Sequence, residues 1–186
     1  MAEQASVGVK TLIMAGGKGT RIGNPLKFLL PISGRPIIDL LCHQVGSFSS
    51  GMLFCTSPSS SGPLKDKLGL ISSDIIETSG NNYVLDLAMA LGSIGEPPVL
   101  VIPADTVILD VHELQSFVLA HGGNGGGVVE LLNQGKHTGI SIYNQIPKGM
   151  EPLPYSEVGS SGEWMVNINT EADYRKSILL KEKKPS

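Results

Sequence analysis

The sequence predicts an α/β fold: a mostly parallel sheet covered by helices on both faces, with a smaller, more antiparallel portion late in the chain. Apolar strand-like runs alternate with segments of helical periodicity, the alternation that parallel sheets require. The first run, Lys10–Ala15 (KTLIMA), is apolar after its opening lysine, as expected of a strand buried on both faces. The chain has 186 residues, enough to bury a sizeable core, and a single domain is expected over 1–186.

The elements follow in order. After the first strand comes a crowded loop, and then PIIDLLCHQVGSF reads as a helix with Pro36 in its first turn, where a missing N–H costs nothing. GMLFCTS is a second strand and SDIIETS a third. NNYVLDLAMALGSI is a helix with Tyr83, Leu87, Ala90 and Leu91 at core spacing. PPVLVIPAD is a fourth strand and VHELQSFVLAH the helix after it. GGNGGG (122–127) reads as a flexible connection to the later portion, where GGVVELLN and TGISIYN are strands. GMEPLPYSEVGSSGE is a long turn-rich segment, and EADYRKSILLK is a terminal helix. The tail KEKKPS reads as a solvated, frayed end.

Composition narrows the function. A net charge of −3 carries no global footprint for nucleic acid. No apolar run reaches the roughly 20 residues of a membrane span. The start, MAEQASVGVK, lacks the basic and apolar regions of a signal peptide. Cys42 and Cys55 have no metal-like spacing and read as small buried hydrophobes in a reducing cytosol, so a cytoplasmic location is expected. The 23 glycines exceed the usual share of about 7%, which points to loops with unusual dihedrals or close approach to a ligand.

The loop after the first strand concentrates these features. Gly16, Gly17 and Gly19 can present backbone N–H groups to phosphates with no Cβ in the way. Arg21 offers a fork of donors and Lys27 a compact charge. Ligands in open α/β sheets sit beyond the carboxyl ends of strands, where this loop emerges. Two familiar phosphate loops do not fit. A Walker loop would need lysine where Asn24 stands, and a G-x-G-x-x-G fingerprint fails at Ile22, with Gly23 one residue late.

MAGGKGTRIG, followed by Lys27 and LLPISGRPIID, resembles the signature of the nucleotidyltransferase superfamily. The resemblance implies a Rossmann-like, three-layer domain that joins a nucleoside monophosphate from a triphosphate to an acceptor phosphate. It also implies that Gly16, Gly17 and Gly19, with Lys18 and Thr20 in the same loop, hold the triphosphate. Arg21 would steady the departing pyrophosphate and Lys27 contact phosphate at the reacting centre. TSP (56–58), ETSGNNYVLDL and VNINTEADY extend the resemblance to the archaeal guanylyltransferases whose acceptor is a corrinoid, adenosylcobinamide phosphate. This second match covers Leu12 to about Tyr174 and is loose from Leu109 to Gly162.

The same resemblance implies Mg²⁺ at Asp105, the last residue of VLVIPAD, with Asn169 completing the site and Asn167 a weaker alternative. From position alone, Asp105 is equally a turn residue and Asn169 equally a helix N-cap. Mg²⁺ suits one or two protein oxygens with phosphates and water in the remaining positions. Guanine would be read by backbone carbonyls in Leu12–Ala15 (Met14 included) and by Thr78, Ser79 and Gly80. Asn81 and Asn82 either help or cap the next helix, and Thr56 and Ser57 either touch base or ribose or form an ordinary strand-ending turn. For the acceptor, Gly139 and Asn167 are candidates, Gly139 for close corrinoid approach or as a bulge glycine, with Ile140, Ile142, Tyr143, Leu153 and Tyr155 as possible lining. None of His43, His112, His121 and His137 reads as a nucleophile or base, and an ionised acceptor phosphate needs none. Molybdenum cofactor guanylyltransfer, sugar-phosphate nucleotidyltransfer and a non-catalytic nucleotide sensor stay open, as does homodimerisation.

Overall fold

A computed structural model describes residues 8–148 and 151–183. The strands are β1 (Val9–Met14), β2 (Pro31–Ile32), β3 (Arg35–Pro36), β4 (Ser49–Thr56), β5 (Ile75–Glu77), β6 (Val99–Pro103), β7 (Thr106–Ile108), β8 (Val128–Asn133), β9 (Lys136–Tyr143), β10 (Tyr155–Ser160) and β11 (Met165–Asn167). The helices are α1 (Ile37–Gly46), α2 (Pro58–Leu68), α3 (Tyr83–Ile94), α4 (Val111–His121) and α5 (Glu171–Lys183). Seven strands form one sheet in the order β10-β8-β9-β6-β1-β4-β5. Only β9 runs against its neighbours, β6 and β8. The antiparallel portion is therefore one reversed strand within the main sheet, plus the small pairs β2·β3 and β7·β11.

The apolar end of β1 is explained by its position. Leu12 pairs with Leu53 on one side and Val101 on the other. Its neighbour Ile13 packs with α1, α2 and α4 residues such as Leu41, Leu64 and Leu114. Leu12 itself packs with Leu87, Ala90 and Leu91 of α3. Alternation at period two thus feeds a core on each face, giving three layers. A third cluster joins Ile32, Ile37, Val107 and Ile168 beneath α5.

Several boundaries differ from the sequence expectation. α1 starts at Ile37, because Pro36 is extended and pairs with Pro31. Of the expected third strand (73–79), Ser73 and Asp74 belong to a 3₁₀ turn and Thr78 and Ser79 lie beyond the pairing, which leaves Ile75–Glu77 as strand. Tyr83 is 53% exposed and not a core residue, because the first turn of α3 projects past the sheet. Cys42 is only half-buried, yet burial, with the Asp39 charge, raises its thiol pKa to about 12. GGNGGG links α4 to β8 but is tied down: Gly123 N donates to Asn144 Oδ1 at 2.7 Å, and Val128 N beyond it to the Pro154 carbonyl at 2.7 Å. Lys181–Lys183 of the expected frayed tail complete α5, whereas 184–186, the starting residues 1–7 and Gly149–Met150 lie outside the described residues.

Candidate active site

At the carboxyl ends of β1, β4 and β6 the chain must turn in a confined space. Ala15 N donates to the Cys55 carbonyl at 2.7 Å and Ala104 N to the Met14 carbonyl at 3.0 Å, which locks the three strand ends together. Gly19 then closes a tight turn at φ +59°, its carbonyl accepting from Ile22 N and Asn24 N. A Cβ there would lie 2.0 Å from the Asn24 carbonyl oxygen, so only glycine fits. Gly17, in contrast, faces open space.

This loop borders a cavity of about 360 Å³. Of the residues singled out in the sequence, the fold places Met14, Ala15, Gly16, Gly17, Lys18, Gly19, Lys27, Thr78, Gly80 and Asp105 along it. A smaller recess on the other flank of the loop gathers Thr20, Arg21 and Asn169, with Gly19 and Lys27 shared between the two. Lys18 and Arg21 are exposed, and neither forms an ion pair among the described residues. Lys27 stands between the two spaces. Its ammonium pairs with the Asp105 carboxylate and donates to the Ile168 carbonyl at 2.8 Å. Ile168 N in turn donates to the Asp105 carbonyl at 3.0 Å, which ties the backbone just before Asn169 to the aspartate.

The helix-cap question at α5 resolves in favour of Thr170. Thr170 Oγ1 accepts from Asp173 N, and Asp173 Oδ2 accepts from Thr170 N and Asn169 N, a reciprocal capping arrangement. The Asn169 side chain is therefore not the cap. Among the described residues no cluster of three or more His, Cys, Asp or Glu could hold a metal. The one carboxylate and one amide at Asp105 and Asn169 fit an ion that fills its remaining positions with phosphate and water.

Other candidates lie outside the cavity. Leu12 is fully buried and its backbone lies in the sheet ladder on both sides, so it cannot read a base. Thr56 is also fully buried, and its carbonyl accepts from Thr78 N and Thr78 Oγ1. Ser57 caps α2 in a box with Ser60. Asn82 caps α3, accepting from Val84 N and Leu85 N. Asn167 is held at both ends: Oδ1 accepts from Thr106 Oγ1 at 3.0 Å and Nδ2 donates to the Thr138 carbonyl at 2.7 Å. No histidine lines the cavity. His137 pairs with Glu130 at 3.1 Å, and the His121 ring packs on Phe117.

A second cleft, also about 360 Å³, adjoins the first, with Tyr83 in the wall of both. Its floor is a face of the sheet: Val128 and Glu130 of β8, and Gly139, Ser141 and Tyr143 of β9. Leu153 and Tyr155 close one side. Ile140 and Ile142 point the other way and are fully buried in the core. Gly139, at φ +74°, sits in a bulge of β9 against Pro103. The Tyr155 hydroxyl donates to Glu130 Oε2 at 2.6 Å. The protein around the Tyr83 hydroxyl desolvates it and, with Tyr143 and Glu130 nearby, raises its pKa to about 12, even though half of the residue's surface is open. Tyr83 therefore remains a neutral hydroxyl across the physiological range.

A model of the MobA-like NTP transferase domain matches residues 11–161. The chain belongs to this family. It is therefore a nucleotidyltransferase. Among characterised relatives, the adenosylcobinamide-phosphate guanylyltransferase of Methanocaldococcus jannaschii is 27% identical over 191 residues, spanning 92% of this chain and 97% of the relative. Among solved structures, HddC from Yersinia pseudotuberculosis complexed with GMP-PN matches with a TM-score of 0.67 at 14% identity, over 92% of this chain and 98% of that one. The inositol-1-phosphate CTP transferase from T. maritima matches with a TM-score of 0.65 at 10% identity, over 95% and 98%. These structures establish the fold alone.

Within this family framework, the cavity also contains residues that sequence reasoning passed over. Cys55 and Asp86 line it, as do Pro25 and Phe28, and the base candidate Asn81 lies along it too. Asp86 is the most informative. It is a buried carboxylate in the first turn of an otherwise apolar helix. That contrast was visible in the sequence, but the wall it faces was not.

Proposed function

We propose that the chain transfers GMP from GTP to the phosphate of adenosylcobinamide phosphate and releases pyrophosphate, a step of cobalamin assembly that we place in the cytoplasm. The observation that carries this reading is the adjoining pair of clefts. One is bordered by the glycine loop, Lys27 and Asp105, and the other is floored by an open sheet face. The first has the donors a triphosphate needs, and the second has the apolar and hydroxyl-bearing surface a large corrinoid needs. The 27% identity to a guanylyltransferase of this acceptor selects base and acceptor.

In the reaction an ionised oxygen of the acceptor phosphate attacks the α-phosphorus, the bond from that phosphorus to the α–β bridging oxygen breaks, and the pair of electrons leaves with pyrophosphate. Gly17 and its neighbours offer backbone N–H groups to the triphosphate. Lys27 meets the charge that develops around the α-phosphorus, and Arg21 draws the departing pyrophosphate towards the smaller recess. Asp105 and Asn169 are the residues that would hold Mg²⁺, which would supply neutralisation of phosphate charge. No side-chain base is required, because the nucleophile is already ionised, and alignment of the two substrates lowers the barrier.

Incubation with Mg·GTP and adenosylcobinamide phosphate should yield the GDP-linked corrinoid with one pyrophosphate per product. Product formed instead with molybdopterin or a sugar 1-phosphate would keep the reaction type and replace the acceptor. Nucleotide bound with no product from any acceptor would make the chain a sensor.

A further inference from the structure

Asp86 occupies an unusual place for a carboxylate. It is 6% exposed, on a helix whose other buried residues are Leu87, Ala90, Leu91 and Ile94. No cation pairs with it among the described residues. One oxygen is positioned: Ser79 Oγ donates to Oδ1 at 3.1 Å, and Ser79 Oγ itself accepts from Asn81 N at 3.1 Å. The other oxygen, Oδ2, accepts no hydrogen bond among the described residues. The residue nevertheless lines the nucleotide cavity, beside Met14, Cys55 and Tyr83. A buried carboxylate costs several kcal/mol to desolvate unless it finds donors, so a ligand donor is the economical explanation for its placement.

We propose that the Asp86 carboxylate reads the Watson–Crick edge of guanine, accepting from its N1–H and from its 2-amino group. This rests on the guanylyl reading above and names the residue that enforces it. The stereochemistry is that of a two-oxygen acceptor facing two adjacent donors. Each carboxylate oxygen has a second lone pair, so Oδ1 can accept from both Ser79 and the base. Adenine presents a lone pair at N1 and no 2-amino group, and would place an acceptor against a buried anion. The walls around Asp86 are apolar (Met14, Cys55), which suits the faces of a flat heterocycle better than the hydroxyls of a ribose. Ser79, one of the base candidates from the sequence, then acts through Asp86 by fixing its orientation.

The donor and acceptor pattern supplies a test that a merely structural aspartate would not pass. Asp86→Asn presents one acceptor and one donor, which matches xanthine (N1–H and a 2-carbonyl) and mismatches guanine. Calorimetric titration of the full chain with GTP, ITP, XTP, ATP and 2′-deoxy-GTP reads it directly. The wild type should bind GTP about 10- to 100-fold more tightly than ITP, which lacks the 2-amino group. Asp86→Asn should lose GTP by a similar factor and bind XTP more tightly than GTP, and Asp86→Ala should lose GTP without gaining XTP. Equal wild-type affinity for GTP and ITP overturns the proposal even if no variant folds. So does an Asp86→Asn protein that keeps its preference for GTP over XTP. Selective weakening of 2′-deoxy-GTP, relieved in Asp86→Asn while base preference persists, assigns the carboxylate to the ribose instead. A wild type that binds ATP as well as GTP overturns the guanylyl reading itself, and that result is distinct from a GTP-selective wild type indifferent to Asp86.

Discussion

Lys27 and Asp105 form an ion pair at the junction of the cavity and the smaller recess, with their side chains only 16% and 14% exposed. The same ammonium donates to the carbonyl of Ile168, the residue before Asn169. Lys27 and a metal ion at Asp105 would therefore compete for one carboxylate. On the function proposed above, an ion held there would leave the ammonium to the phosphates.

Lys27→Ala is expected to lower turnover by about 10²–10³, the usual cost of removing one preorganised charged donor. Circular dichroism should show an intact fold, and steady-state pyrophosphate release measures the rate. Near-normal turnover in the folded variant removes this lysine from the mechanism.

Asp105→Asn keeps the size of the side chain and loses its charge. Turnover across a Mg²⁺ titration should collapse, while calorimetric GTP binding without metal survives. Identical titrations for variant and wild type would leave Asp105 as a turn residue.

Metal contact and the helix cap were alternatives for Asn169, and Thr170 takes the cap, which leaves the metal role as the one proposed for Asn169. Thr170→Ala removes the α5 cap and should cost about 1 kcal/mol in urea unfolding, with an unchanged Mg²⁺ optimum. Asn169→Ala should leave unfolding nearly unchanged and raise the Mg²⁺ concentration needed for half-maximal rate. A stability loss in Asn169→Ala with no change in metal demand contradicts the assignment.

Gly80 adopts φ +66°, and a Cβ there would stand 2.6 Å from Ser57 Cβ and 3.0 Å from the Gly16 carbonyl oxygen. Gly80→Ala should therefore lower stability by about 1–3 kcal/mol and weaken GTP binding. Gly17 has open space around it, so Gly17→Ala should unfold like the wild type and show only weaker GTP binding. Comparable urea midpoints for the two variants would refute the close contact.

The phosphate end of the site was legible because its chemistry is local. The glycines and cations proposed to meet the triphosphate lie within a dozen residues, and the residue types alone carry the chemistry. The base wall was much less legible. Leu12 and Thr56 belong to strands whose carbonyls are already used by the sheet, a fact of pairing and not of local sequence. Asp86 gains meaning only from Ser79, which follows β5, and Met14, which ends β1, and these two strand ends are far apart in sequence. α2 escaped notice because PSSSGPLKDKL has a proline and a glycine inside it and little apolar periodicity. It is held by the Ser57–Ser60 box and by burial of Leu64. β10 (YSEVGS) offers the core only Val158 and is held by pairing with β8 along the sheet edge.

The floor of the second cleft alternates with the core, residue by residue. Glu130, Ser141 and Tyr143 look into the cleft, whereas Val129, Leu131, Ile140 and Ile142 are sealed beneath. Period two thus divides one stretch of chain into a half that the fold dictates and a half that it leaves free. A lineage could rewrite Glu130 and Ser141, and with them the lining of the cleft, with the buried layer left in place, whereas Tyr143 also packs against the core beneath α3. Divergence among enzymes of this architecture should accordingly accumulate on every second residue of β8 and β9.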